Sequence, residues 1–261
     1  MKTLRLILVA TVILFMGCKD KTEKVVALAS EAAEKMHETT EPNSLGIQPI
    51  AHATMILTYK DVVVYVDPVG DADLFKGKDN PDYVMITDIH GDHLDVETLK
   101  GLDLSNATLI VPKAVADKLP ELNTKEIIVL NNGETKQFEN LKAEAIPMYN
   151  LRKEALKFHE KGRGNGYVVT LGNQRIYISG DTEDIPEMRA LKDIDIAFVC
   201  MNLPYTMTVE SAADAVLDFK PKKVYPYHYR GTEGLSDVAK FRTIINNENP
   251  DIEVVQLDWY K

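Results

Sequence analysis

The chain has 261 residues, with 40 acidic against 30 basic side chains and a formal charge of −10. That balance excludes a general nucleic-acid binder, which needs a basic surface to meet phosphate. A hydrophobic content of 45% with 27% charged residues excludes wholesale disorder and is enough for a packed core.

At the N-terminus, Lys2 and Arg5 precede an apolar run from Leu6 to Met16. The run is short of the roughly 20 residues that span a bilayer, and it has the length and flanks of an export signal. It ends in Phe15-Met16-Gly17-Cys18, followed at once by the polar KDKTEK. This segment resembles a bacterial lipoprotein signal. The resemblance implies removal of residues 1–17, lipid on Cys18, and an exported protein held at a membrane and facing the periplasm or the cell surface. Residues 18–45 are polar and rich in Glu, Lys and Ala, and read as a tether. His37 falls there and reads as a solvated side chain. Cys200, within the apolar IDIAFVCM, reads as a core residue, and no disulfide framework is expected.

From Gly46 to Lys261 the texture is that of one domain. IQPIAHATMILTYK and DVVVYVDP read as two strands joined at Tyr59-Lys60-Asp61. PDYVMIT, ATLIVP, KEIIVL, KAEAIPM, GYVVTL, QRIYISG, IDIAFVCM, KKVYPYH and IEVVQL are further strands. Helical periodicity covers 95–101, 113–119, 185–191, 209–219 and 236–247, with Thr208 as the cap of the fourth. Strands repeatedly precede helices, so the fold class is a layered α/β domain.

The chemistry lies where strands end. DYVMIT runs into Asp88, His90, Asp92 and His93. QRIYISG runs into Asp181, KKVYPY runs into His228, and His52 interrupts the first stretch. Imidazoles and carboxylates crowded at the end of a core strand need neutralising, and a divalent cation does so. The donor set suits zinc first, and also manganese, iron or nickel.

In order and context these motifs resemble the metallo-β-lactamase superfamily, a four-layer αββα sandwich of metal-dependent hydrolases, and within it the ascorbate-phosphate lactonase-like branch. The resemblance runs from Gly46 to the C-terminus. Where that family carries HxHxDH, this chain has DxHxDH at 88–93, then Gly180-Asp181-Thr182, then Tyr227-His228-Tyr229. It implies one or two divalent metal ions, with Asp92, His93, Asp181 and His228 as a complete site and Asp181 as the bridging carboxylate. Two departures fall on the other site. The family's first His is Asp88 here, and its middle His, expected after AIPMY, corresponds to Asn150. The second site is therefore Asp88 and His90 with Asn150 at its margin, altered or weaker than the first.

Further groups are candidates for metal or substrate contact. They are His52, Asn150, and His159 and Arg163 in the polar stretch 150–166, with Tyr205 and Tyr229 after later strands. An arginine suits a phosphate or carboxylate through its bidentate fork. Gly162, Gly164 and Gly166 read as a tightly turned or flexible loop end. The expected function is hydrolysis of an ester-like bond in a small molecule, a lactone or phosphodiester, by water activated on the metal, with Asp92 and Asp181 as catalytic carboxylates. The alternative is a surface lipoprotein that keeps the fold for metal or ligand binding without turnover.

Overall fold

The computed structural model describes residues 44–260. The expected export signal, Cys18 and most of the expected tether lie outside the described residues.

Two mixed sheets form the centre. Strands β1 (Leu45–Ala51), β2 (Thr54–Tyr59), β3 (Val62–Val66), β4 (Tyr83–Met85), β5 (Thr108–Val111) and β6 (Glu126–Val129) lie side by side in chain order. The second sheet takes β7 (Thr135–Gln137), β8 (Leu141–Met148), β9 (Gly164–Leu171), β10 (Gln174–Ile178), β11 (Ile196–Val199), β12 (Lys223–Pro226) and β15 (Glu253–Val254), with β15 at one edge and β7 at the other. A small ribbon pairs β13 (Arg230–Gly231) with β14 (Gly234–Leu235).

Alternation along the strands decides the layers. Met55, Leu57, Val64, Val66 and Met85 join the core shared with Tyr167, Val169, Ile176 and Ile178 of the second sheet. Their neighbours Ile56, Val63, Tyr65, Val84 and Ile86 point the other way, into a cluster with Leu99 and Val115. Side chains two apart share a face, so a strand that is apolar at every position is buried on both faces. Helices α1 (Val96–Gly101) and α2 (Lys113–Ala116) supply Leu99 and Val115 and cover the first sheet. Helices α3 (Pro186–Arg189), α4 (Val209–Phe219) and α5 (Val238–Glu248) carry Met188, Val216, Phe219, Phe241 and Ile245 into the core of the second. The result is the expected four-layer αββα order.

Capping fixes the helix starts. Thr208 accepts from Ser211 N at the head of α4, and Asp95 accepts from Glu97 N and Thr98 N at the head of α1. Three local expectations change. The first stretch is two strands, because the chain turns at His52 with φ 55° and pairs β1 antiparallel with β2. Thr135–Gln137 forms an edge strand that the sequence did not signal. Gly164 and Gly166 belong to β9 and not to a loop end. A Cβ on Gly164 would lie 2.4 Å from Met148 Cε and 2.8 Å from Thr87 O, and one on Gly166 would lie 2.8 Å from Ser179 O. These glycines allow close approach of strands.

Strand direction positions the site. β3 and β4 are parallel, and their carboxyl ends deliver Asp67 and the segment 88–93. β10, β11 and β12 are parallel, and their carboxyl ends deliver Asp181 and His228. The two sheets are tied together by Asn165 N donating to Thr87 O and Tyr167 OH donating to Ile86 O.

Candidate metal centre

Donor atoms of Asp92, His93, Asp181 and His228 all lie within 4.8 Å of one another. His93 Nε2 is 3.4 Å from Asp181 Oδ2 and 3.8 Å from Asp92 Oδ1. His228 Nε2 is 3.4 Å from Asp181 Oδ1, 3.3 Å from Asp92 Oδ2 and 3.2 Å from His93 Nε2. His93, Asp181 and His228 are buried, while the Asp92 side chain is 43% exposed. Asp92 is therefore the member of the group that faces solvent.

Tautomers follow from the outer partners. His93 Nδ1 is 2.8 Å from Asp67 Oδ2, so Nδ1 carries the proton and the Nε2 lone pair points into the cluster. Asp67 is itself held by Thr87 N and Thr87 Oγ1, each donating at 2.7 Å. His52 is set the other way. Tyr260 Oη accepts from Tyr229 N and Arg230 N, so its own proton goes to His52 Nδ1 at 2.8 Å. His52 Nε2–H then faces Asp92 Oδ2 at 3.4 Å. The neutral ring is a donor to Asp92, with no lone pair left for a metal. Burial, the largest effect on His52, lowers its pKa and favours that neutral form.

Burial works against charge on Asp181, yet His228 and His93 hold its carboxyl well below the usual carboxylate range. Asp92 is depressed in the same way, by His228 and His52 against burial. Burial also opposes charge on His93, but Asp181 and Asp67 outweigh it and raise its pKa. His52, Asp67 and His228 all have left-handed backbones, with φ 55°, 45° and 45°. Such conformations are uncommon outside glycine and concentrate at functional sites.

A second group, Asp88, His90 and His159, also has its donor atoms within 4.8 Å. Its third member is His159. Asn150, expected at its margin, donates from Nδ2 to Ala155 O at 2.9 Å and to Tyr205 O at 2.6 Å, while its Oδ1 is buried without a hydrogen-bond partner among the described residues. His159 Nδ1 is 3.2 Å from Tyr205 O, and its Nε2 is 3.1 Å from Asp181 Oδ2. Asp181 thus faces both groups. Arg163, a candidate for substrate contact, is paired with Asp88, with Nε donating to Oδ1 at 3.0 Å and Nη2 to Oδ2 at 2.7 Å.

Tyr205 contributes its carbonyl, while its ring meets Phe158 edge-on. The Tyr229 ring packs edge-on against Tyr260. Three groups were missed. Asp67 had a signal, since its strand also ends in a carboxylate. Thr87 directly precedes Asp88. Nothing in the sequence marks Tyr260.

The first group fits a divalent cation. Within it, Asp181 Oδ1 is buried without a hydrogen-bond partner among the described residues. Buried polar atoms are rarely left so. Two carboxylates and two imidazoles are a suitable donor set.

Two layered sheets with a His/Asp cluster at their strand ends define the class: an αββα fold bearing a metal-type site. The chain belongs to the metallo-β-lactamase superfamily, since the family model for the beta-lactamase superfamily domain matches residues 46–228. It is similar to a UPF0173 metal-dependent hydrolase of Methanopyrus kandleri, 26% identical over 219 residues, covering 80% of this chain and 95% of that one. A UPF0173 metal-dependent hydrolase of Thermus thermophilus is 28% identical over 192 residues, 70% of this chain and 83% of its own. A crystal structure from Parabacteroides distasonis, assigned to the metal-dependent hydrolases, has 38% identity and a TM-score of 0.74 over 83% of this chain and 94% of that chain. The Ignicoccus hospitalis metallo hydrolase Igni18 shares the fold, with 19% identity and a TM-score of 0.68 over 82% of this chain and 94% of that chain.

Proposed function

We propose that this metal-dependent hydrolase cleaves an ester-like bond, a lactone or phosphodiester, in a small molecule. The observation that carries the reading is the placement of Asp181. Its Oδ2 faces His93 and His159, its Oδ1 faces His228, and Oδ1 is buried without a hydrogen-bond partner. Asp92, His93, Asp181 and His228 would hold the ion, with zinc first among the candidates. A divalent cation there supplies Lewis acidity, drawing the pKa of water toward about 7 and polarising a carbonyl or phosphoryl oxygen.

The chain's own groups do the rest. Asp67 holds His93 in one tautomer. Asp92 is half-buried and ionised, and accepts from His52 Nε2. It is placed to orient an attacking water and accept its proton. Tyr260 keeps His52 in the donor form. The ascorbate-phosphate lactonase-like resemblance supports a lactone substrate.

Metal analysis of purified protein, then Asp181→Ala against a panel of lactones and phosphodiesters, tests the reading. Turnover lost in Asp181→Ala is expected. Absence of bound metal, or turnover that does not depend on Asp181, overturns it.

The Phe15-Met16-Gly17-Cys18 motif supports an exported, Cys18-lipidated protein of three parts: residues 1–17 as signal, 18–45 as tether and 46–261 as hydrolase domain. Mass spectrometry of the mature N-terminus tests this, and an intact Met1 overturns it.

A further inference from the structure

We propose that Arg163 takes the place of a second metal ion, so that the protein works with one ion per chain. The inference rests on the metal-hydrolase reading above and concerns the Asp88–His90–His159 group alone.

The guanidinium sits among the donors that a second ion would need. Its Nε and Nη2 engage both oxygens of Asp88, at 3.0 and 2.7 Å. Nη2 also donates to Phe158 O at 2.6 Å, which anchors the side chain from the loop 150–163. The third contact matters most. His90 Nδ1 is 2.9 Å from Asp88 Oδ2, so Nδ1 holds the proton and Nε2 holds the lone pair. Arg163 Nη2 lies 3.4 Å from that Nε2. The lone pair that His90 would give to a metal therefore faces a fixed cation.

Charge accounting agrees. The Asp88 side chain is fully buried and that of Arg163 is 17% exposed. One carboxylate against one guanidinium is balanced, and arginine does not give up its proton. A dication placed on Asp88 and His90 would lie against that guanidinium. The first group is different: Asp92 and Asp181 carry two negative charges with no guanidinium or ammonium of the described residues among their close partners, and Asp67 adds a third behind His93. One dication is matched there. His159, with Nδ1–H on Tyr205 O, turns its Nε2 toward Asp181. That Nε2 lone pair lies against the Asp181 carboxylate, on the side of the first group.

The same observation accounts for the chain's departure from the family pattern at position 88. An imidazole there could not take two charge-assisted hydrogen bonds from one guanidinium. A carboxylate can, and the fork of arginine matches it. Asp88 and Arg163 therefore act as one unit.

The test is stoichiometry. Metal-free protein, prepared with a chelator, is titrated separately with Zn²⁺ and Mn²⁺, and bound metal is counted by plasma mass spectrometry after desalting. The wild type is expected to retain one equivalent, and Arg163→Met, which frees Asp88 and His90, to retain two. A zinc-edge anomalous map of the wild type is expected to show one peak, among Asp92, His93, Asp181 and His228. Two equivalents in the wild type, or a peak between Asp88 and His90, overturn the inference while leaving the hydrolase reading intact. One equivalent in a folded Arg163→Met overturns the assignment to Arg163. No metal in the wild type overturns the hydrolase reading and this inference with it. The wild-type count and map decide the matter even if Arg163→Met does not fold.

Discussion

Asp67 Oδ2 lies 2.8 Å from His93 Nδ1, and both side chains are fully buried. The contact joins the end of one strand to a donor 26 residues later and fixes which nitrogen of His93 faces the cluster. Removing such an outer partner typically costs 10–100-fold in metal affinity or activity. Asp67→Ala is therefore expected to weaken metal binding by roughly 10–100-fold, measured by competition with a chelator. Asp67→Asn keeps the shape but accepts less strongly, and is expected to fall between the two. Wild-type affinity in Asp67→Ala would show that packing alone orients His93.

Gly164 is held by contact and not by backbone conformation. An added methyl would meet Met148 Cε at 2.4 Å, Thr87 O at 2.8 Å and Asp88 Oδ1 at 3.2 Å. Two of those neighbours are backbone or a paired carboxylate, which do not move freely. Overpacking of this kind costs about 1–3 kcal/mol. Gly164→Ala is expected to lower the urea midpoint accordingly, and to weaken the Asp88–Arg163 pair beside it.

The layers were legible because alternation is local: strands such as VVVYV declare two buried faces without knowledge of their neighbours. The first metal group was legible for a related reason. Parallel strands place their carboxyl ends along one edge, so ligands that follow apolar runs converge. The second group was not. His159 and Arg163 lie in a polar stretch that reads as exposed, yet His159 is buried and Arg163 nearly so. The path of that loop is set by Asn150 bonding to Ala155 O and Tyr205 O and by Arg163 bonding to Phe158 O. None of these contacts has a period that a sequence displays. Five of the chain's six histidines gather at this edge, which no single segment reveals.

Asp195 gives a pH dependence away from the site. Its Oδ2 accepts from Arg175 N at 2.8 Å and its Oδ1 from Lys222 Nζ at 2.7 Å. Burial pushes the carboxyl up, but Lys222 and the Arg175 amide pull it further down, so the folded pKa is below the ordinary value. A depressed acid stabilises the fold above its unfolded pKa of about 3.9 and loses that contribution as pH falls through the folded value. Asp195→Asn is thus expected to be less stable than wild type by roughly 1 kcal/mol at pH 7. Thermal melts from pH 7 down to pH 2 should show the gap closing. A gap independent of pH would mean that the charge on Asp195 contributes nothing.

Cys200 is fully buried, and burial pushes its thiol up to about 11. The thiolate is the reactive form. In a Cys18→Ser background, an aromatic disulfide reagent at pH 8 is expected to leave Cys200 unmodified while the protein is folded and to titrate one thiol after unfolding. Fast modification of the folded protein would place Cys200 in a mobile part of the core.

Asn150 and His159 lie close together, share Tyr205 O as a partner, and differ in what they should do. Asn150 ties the loop to backbone carbonyls at Ala155 and Tyr205, so Asn150→Ala strips donors from two acceptors in a buried place. The expected cost is about 1–3 kcal/mol of stability, with bound metal unchanged. His159 instead faces Asp181 at 3.1 Å through Nε2. His159→Ala is expected to keep most of the stability but lower turnover by roughly 10–100-fold, because Asp181 loses the ring packed against its Oδ2. Unfolding midpoints, metal counts and kcat for the two variants separate these roles. The same loss of metal from both would return Asn150 to the ligand position that the family pattern assigned it. Loss of metal from His159→Ala alone would make His159 a ligand and put a second ion back in question.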